Sequence, residues 1–121
     1  MAISKSQRIM LKKHLKELLF LRDKCCLKCN TTKTLQASHI YSVGAHKKME
    51  YNHENIILLC YRCHFHFWHR DTMMAREWIE TVLPKERLRR LYLQANIVDT
   101  TPLDFNLIKL DIKSEIKKLS K

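Results

Sequence analysis

The sequence predicts an α+β fold: a small cysteine-framed core of two short strands and a helix, flanked by N- and C-terminal helices. Three observations predict it. Two Cys-x-x-Cys pairs, Cys26/Cys29 and Cys60/Cys63, bracket the middle of the chain. Two short apolar runs, LQASHIYSV and NIILLC, lie between them, with the β-branched content of strands. Outside that stretch apolar residues recur at three- and four-residue steps, the spacing of helices. The 121 residues suit one domain (1–121) with a single modest core. We divide it into an N-terminal helix over 4–22, the cysteine-framed core over 23–70 and a helical extension over 71–121.

Ser4-Lys5-Ser6-Gln7 reads as a capping box that opens the first helix. Leu11, Leu15, Leu18 and Leu19 follow on its apolar side. Lys5, Arg8, Lys12, Lys13 and Lys16 populate its other faces, as a solvated basic side or, alternatively, as phosphate contacts. LQASHIYSV is the first strand, VGAHKKMEYNHEN a polar basic loop, and NIILLC the second strand. From Tyr61 the pattern turns helical and runs to about His69. Met74, Trp78, Ile79 and Val82 form the next apolar stripe. Pro84 suits the first turn of the following helix, ahead of Leu88, Leu91 and Tyr92. Thr101-Pro102-Leu103-Asp104 reads as a helix start with a threonine cap. Phe105, Ile108, Ile112, Ile116 and Leu119 then form a stripe that packs on the domain or on the first helix. A partner helix is the alternative, so a homodimer through the terminal helices is compatible with this reading.

Lys and Arg number 23 against 12 Asp and Glu, a net charge of +11. Such a balance favours a polyanionic partner, most often nucleic acid, over an acidic membrane surface. No apolar run approaches the roughly 20 residues of a membrane span, and MAISKSQRIMLKK lacks the pattern of a signal peptide. The expected location is the cytoplasm, where cysteines stay reduced and paired cysteines favour metal over disulfides. Cys26, Cys29, Cys60 and Cys63 together supply the four thiolates of a tetrahedral Zn²⁺ site. A shell closed by four thiolates has no open position, so this zinc is structural. Cys25 falls outside both pairs and could replace Cys26 only with a wider knuckle.

Four cysteines leave the histidines unemployed. A strand-loop-strand-helix unit brings His39, Asn55 and His64 to one cleft. The run SHI, then NIILLC, then CYRCH resembles the signature of the HNH (ββα-metal) endonucleases, and the intervals between His39, Asn55 and His64 match it. The stretch 26–78, with its basic loop and Trp78, is further similar to phage HNH nucleases related to the NinG recombination proteins. The resemblance implies a treble-clef-like ββα-metal core and a DNA endonuclease of phage recombination or processing, acting in the host cytoplasm. It implies His39 as the general base, Asn55 as the residue that orients the loop and His39 itself, and His64 as ligand to a catalytic Mg²⁺ or Mn²⁺. Products would carry 5′-phosphate and 3′-hydroxyl ends. An imidazole, with an ordinary pKa near 6.5, accepts a proton at neutral pH.

One departure stands out. The residue before the base histidine is commonly an Asp or His that helps hold the catalytic ion; here it is Ser38. His46, His53, Glu54 and His66 are candidate substitutes, none with a convincing position. Lys47, Lys48 and Arg62 are expected to meet backbone phosphates without reading sequence. His69 flanks the cleft and joins them as a phosphate contact, with a helix-surface role as its alternative. Arg87, Arg89 and Arg90 read as a solvated helix face. Nothing suggests a recognition helix, so cutting is expected to be structure-directed or weakly sequence-specific. The competing reading is a zinc-stabilised nucleic-acid-binding module without catalysis.

Overall fold

The computed structural model describes residues 3–98 and 101–120. Within them the fold is α+β, with five helices and one two-stranded sheet. Helix α1 (Lys5–Asp23) opens on the expected capping box: Gln7 N donates to Ser4 Oγ (3.2 Å) and Ser4 N to Gln7 Oε1 (2.9 Å). It ends at Lys24, whose φ of 66° turns the chain left-handed.

Strands β1 (Leu35–His39) and β2 (Ile56–Cys60) pair antiparallel, with Leu35 opposite Cys60 and His39 opposite Ile56. Every residue of β2 is buried, and its two faces serve different cores. Ile56 and Leu58 pack with Leu11, Leu15, Leu18 and Leu19 of α1. Ile57 and Leu59 pack with Cys26, Cys60, Cys63, Ile79 and Leu83. The hairpin is therefore a thin middle layer between a helical layer and the cysteine-bearing side. A strand buried on both faces reads as an unbroken apolar run, which IILLC is.

β1 stops at His39, short of the IYSV expected to extend it. Ile40 N still donates to Asn55 O (2.8 Å), and one residue further on a side chain takes over. Asn55 Oδ1 accepts from Tyr41 N (2.8 Å) and Asn55 Nδ2 donates to Tyr41 O (3.0 Å), so an amide replaces a strand partner. Two short 3-10 turns, Lys47–Met49 and His53–Asn55, shape the loop. After β2 comes α2 (Tyr61–Cys63), which widens into a π-turn over His64–Trp68.

Helices α3 (Thr72–Val82), α4 (Lys85–Ala95) and α5 (Phe105–Leu119) complete the chain. The buried line of α3 runs through Ala75, Ile79 and Leu83, while Met74 and Val82 of the expected stripe are exposed. On α4, Leu91 is buried and Tyr92 exposed. The cap of α5 is Asp104, whose side chain accepts from Leu107 N (3.2 Å), and not Thr101. A carboxylate caps as well as a hydroxyl, and Pro102 is equally at ease in extended chain, so the helix starts three residues later. α5 lies against α1: Ile112 is fully buried among the α1 leucines, with Phe105, Ile108 and Ile116 beside it. Leu119, expected in the same stripe, is exposed. No helix of the described residues is long and apolar enough to cross a membrane.

Because Ile112 fastens α5, Ile112→Ala should lower the unfolding free energy by about 2–4 kcal/mol in urea titrations. Leu110→Ala, on the exposed side of the same helix, should change it by about 0.5 kcal/mol or less.

Candidate functional site

The four paired cysteines converge. One sulfur from each of Cys26, Cys29, Cys60 and Cys63 lies within 4.8 Å of the others. Cys29 Sγ and Cys60 Sγ stand 3.6 Å apart, close to the roughly 3.8 Å edge of a tetrahedron with zinc–sulfur bonds of about 2.3 Å. Each pair is a turn whose backbone supports its own sulfur: Cys29 N donates to Cys26 Sγ and Cys63 N to Cys60 Sγ, both 3.5 Å. Leu27 N donates to Leu58 O (2.9 Å), which pins the first turn to β2. Cys60 is at once the last residue of β2 and the cap of α2. Cys25 stands apart, with its thiol toward Asn30 Oδ1 (3.9 Å).

The thiols differ electrostatically. Burial pushes Cys26 up, but backbone N–H groups of Cys29, Cys60 and Lys28 outweigh it and bring the group down to about 7. Burial and neighbouring sulfurs push Cys63 well above the ordinary range. Four thiolates this close repel one another, so full ionisation needs a cation in their midst. The four cysteines are positioned to bind a metal ion.

Next to the cysteines, on the face of the hairpin that carries Ile57, two histidines gather around Ser38. Ser38 is fully buried, with Oγ 2.5 Å from His64 Nδ1. His64 Nε2 stands 3.0 Å from His69 Nε2, the ring centroids 4.4 Å apart. The π-turn causes this. His69 N donates to His64 O (3.0 Å), a five-residue step that brings the two rings together edge to face. On a regular α-helix they would point about 140° apart, so no spacing rule pairs them from sequence. Burial, then the charges of His69 and His39, lower the His64 pKa, so the ring is neutral at pH 7 and able to ligate.

His39 sits at the last position of β1. Its Nε2 donates to Glu50 O (2.9 Å), since a carbonyl only accepts, and this fixes Nδ1 as the nitrogen with a free lone pair. Asn55, fully buried, does not touch the His39 ring. It holds the carbonyls of Tyr41 and Met49 (3.2 Å to the latter), the residue before the carbonyl that fixes His39. Arg8 of α1 clamps the same segment through Glu50 (3.0 and 3.2 Å) and Tyr51 Oη (3.1 Å). His39 opens onto a groove of about 440 Å³ beside α1, lined also by Lys12, Lys16, Phe20, Gln36 and Tyr51. A larger hollow, about 590 Å³ between α4 and the start of α5, holds none of the histidines.

The structure thus joins His64 to Ser38 and His69, and sets His39 on the groove side of the same strand end, where its charge still bears on His64. Trp68 Nε1 ties the π-turn to His39 O (3.1 Å). None of the substitutes weighed for Ser38 fills the place. His46 packs edge-on to Tyr41, His66 neighbours Tyr61, and Glu54 is held by Arg90 (2.5 Å), which keeps its carboxyl below the usual range. Lys47 and Arg62 are exposed, whereas Lys48 reaches Thr101 Oγ1 (3.0 Å).

Of the α4 arginines, Arg89 and Arg90 are exposed as expected, but Arg87 is not part of a solvated face. Arg87 donates to Glu54 O (2.9 Å) and Ile56 O (3.1 Å), and burial, with Arg22 beside it, brings its pKa down to about 10. Arg22 of α1 donates to His53 O and Ile56 O. These braces cross more than thirty residues of sequence and carry no local signal. No protein family, curated protein or solved structure matches the chain.

Two outcomes follow from this geometry. Asn55→Ala should cost about 3–5 kcal/mol in chemical denaturation, because it strands buried backbone groups. Cys26→Ser or Cys60→Ser should abolish tight metal uptake at the cysteine cluster, read as loss of the thiolate charge-transfer band of cobalt-substituted protein, and lower the melting temperature. Cys25→Ser should leave both unchanged.

Proposed function

We propose that the chain is a metal-dependent DNA endonuclease of the HNH (ββα-metal) class, built on a zinc-framed, treble-clef-like core. The observation that carries the reading is the fixing of His39: its Nε2 is committed to a carbonyl, and its Nδ1 is left as a base at the mouth of a lysine-rimmed groove. A buried asparagine bonded to the adjacent carbonyl, Met49 O, and an arginine clamp preset the ring. Preorganisation of this kind is what general-base catalysis requires.

In this mechanism Lys12 and Lys16 hold the nucleic-acid backbone along the groove, with Lys47, Lys48 and Arg62 extending the positive surface. His39 Nδ1 takes the proton of the attacking water, and Glu50 O steadies the imidazolium that results. His64 donates Nδ1–H to Ser38 Oγ and presents its Nε2 lone pair beside that of His69; together they would hold the divalent ion. When bound, that ion neutralises the scissile phosphate and the leaving 3′ oxygen. Two imidazoles favour a first-row ion such as Mn²⁺ over Mg²⁺, which seeks oxygen. His69, first read as a phosphate contact, is better used here as the second ligand. The four cysteines would hold Zn²⁺ and do no chemistry.

The alternative, a nucleic-acid-binding module without catalysis, draws support from Ser38, which supplies no charge to an ion. Nicking of supercoiled DNA with Mn²⁺ decides between them. His39→Ala should slow nicking by about 10²–10⁴-fold while leaving DNA affinity within about twofold. Nicking that survives His39→Ala refutes the mechanism; DNA binding without any nicking favours the module.

A further inference from the structure

A second group of metal-ligating side chains lies away from the cysteines and from His39, His64 and His69. It joins the turn before β2 to the C-terminal helix. A ring nitrogen of His53 and one carboxylate oxygen each from Asp111 and Glu115 lie within 4.8 Å of one another. Asp111 and Glu115 are four residues apart on α5, so one helix face presents both. Independently, His53 Nδ1 is buried without a hydrogen-bond partner. Buried polar atoms are rarely left so, and each calls for a physical reason.

We infer that His53, Asp111 and Glu115 form a binding site for a first-row divalent cation, with Zn²⁺ as its fitting occupant. One imidazole and two carboxylates are a borderline nitrogen–oxygen set suited to such an ion. Adjacent ligand atoms around zinc stand about 3 Å apart, and the exposed Asp111 is free to swing inward. Glu115 also pairs with Lys118 (3.2 Å), an exposed contact that an ion can displace. Filled, the site staples α5 to the turn two residues ahead of Asn55. The inference does not depend on nuclease activity.

Metal counting on the full chain tests it. The background is His64→Ala/His69→Ala with zinc already on the cysteines, so the proposed catalytic ion is out of the count. Calorimetric titration with Zn²⁺ should find one further equivalent, and the melting temperature should rise with added Zn²⁺. Adding Asp111→Asn and Glu115→Gln should weaken that equivalent at least tenfold and remove the rise. Far-ultraviolet circular dichroism should stay unchanged, as should the thiolate charge-transfer band of cobalt-substituted protein. Asp111→Asn alone, at an exposed position, should weaken binding in the same direction. No further equivalent in the background, or one that survives both carboxylate changes, overturns the site. Absence of DNA cutting would leave the count untouched, so the two readings fail separately.

Discussion

Burial of β2 on both faces is the constraint on which the rest of the molecule depends. Five consecutive apolar residues must keep their alternation, because Ile56 and Leu58 belong to the α1 side and Ile57 and Leu59 to the cysteine side. A slip of one residue against β1 would exchange the two sets and fill neither core. The register so fixed sets both ends of the strand. At its start stands Asn55, whose amide continues the ladder; at its end stands Cys60, which is also the cap of the next helix. Ser38 and His39 are located by the same pairing, opposite Ile57 and Ile56. The candidate chemistry is thus indexed to one short strand, and hydrophobic packing sets its geometry.

The polar groups around that strand obey a second constraint. A buried amide or guanidinium is costly unless its hydrogen bonds are made. Asn55 makes three with its side chain, to Tyr41 N, Tyr41 O and Met49 O. Arg22 and Arg87 converge on Ile56 O, a strand carbonyl that receives side-chain donors. Side chains from α1 and α4 thus supply the donors for carbonyls at the start of β2 and in the turn before it. The same braces hold the turn that carries His53 and Glu54. Helices remote in sequence therefore set the loop from which His39 is oriented.

Local chemistry made part of this legible in the sequence. The capping box at Ser4 and Gln7, the apolar run of β2 and the two Cys-x-x-Cys turns each depend on residues a few positions apart, and each appears in the structure as expected. The rest depended on distance. Whether Met74 or Ala75 lines the buried side of α3 is decided by what packs there, not by its own periodicity. Asp104 in place of Thr101 is a choice between two good caps that local sequence does not rank. The π-turn that pairs His64 with His69 breaks the very periodicity from which helical neighbours are inferred. Arg87 was read as solvated because its acceptors are carbonyls more than thirty residues away. His53 is weighed in the sequence only as a substitute for Ser38, because its two carboxylates belong to a helix at the other end of the chain.

Charge separates the cation sites by the permanence of their occupants. The cysteine cluster can place four negative charges around one ion, and its sulfurs already stand near the spacing that a tetrahedral ion demands. Such an ion is held by the protein alone and acts as part of the fold. In the proposed nuclease site Ser38, His64 and His69 offer no negative charge, in a chain of net charge +11. Neutral imidazoles do not offset the repulsion that a dication meets there. The missing charge must come from a bound phosphodiester, whose oxygens bring both the charge and the hard ligands the site lacks. Read this way, the serine in place of an acid makes ion affinity depend on bound substrate. The cleft would then carry its catalytic ion only when there is a phosphodiester beside His39 to act upon.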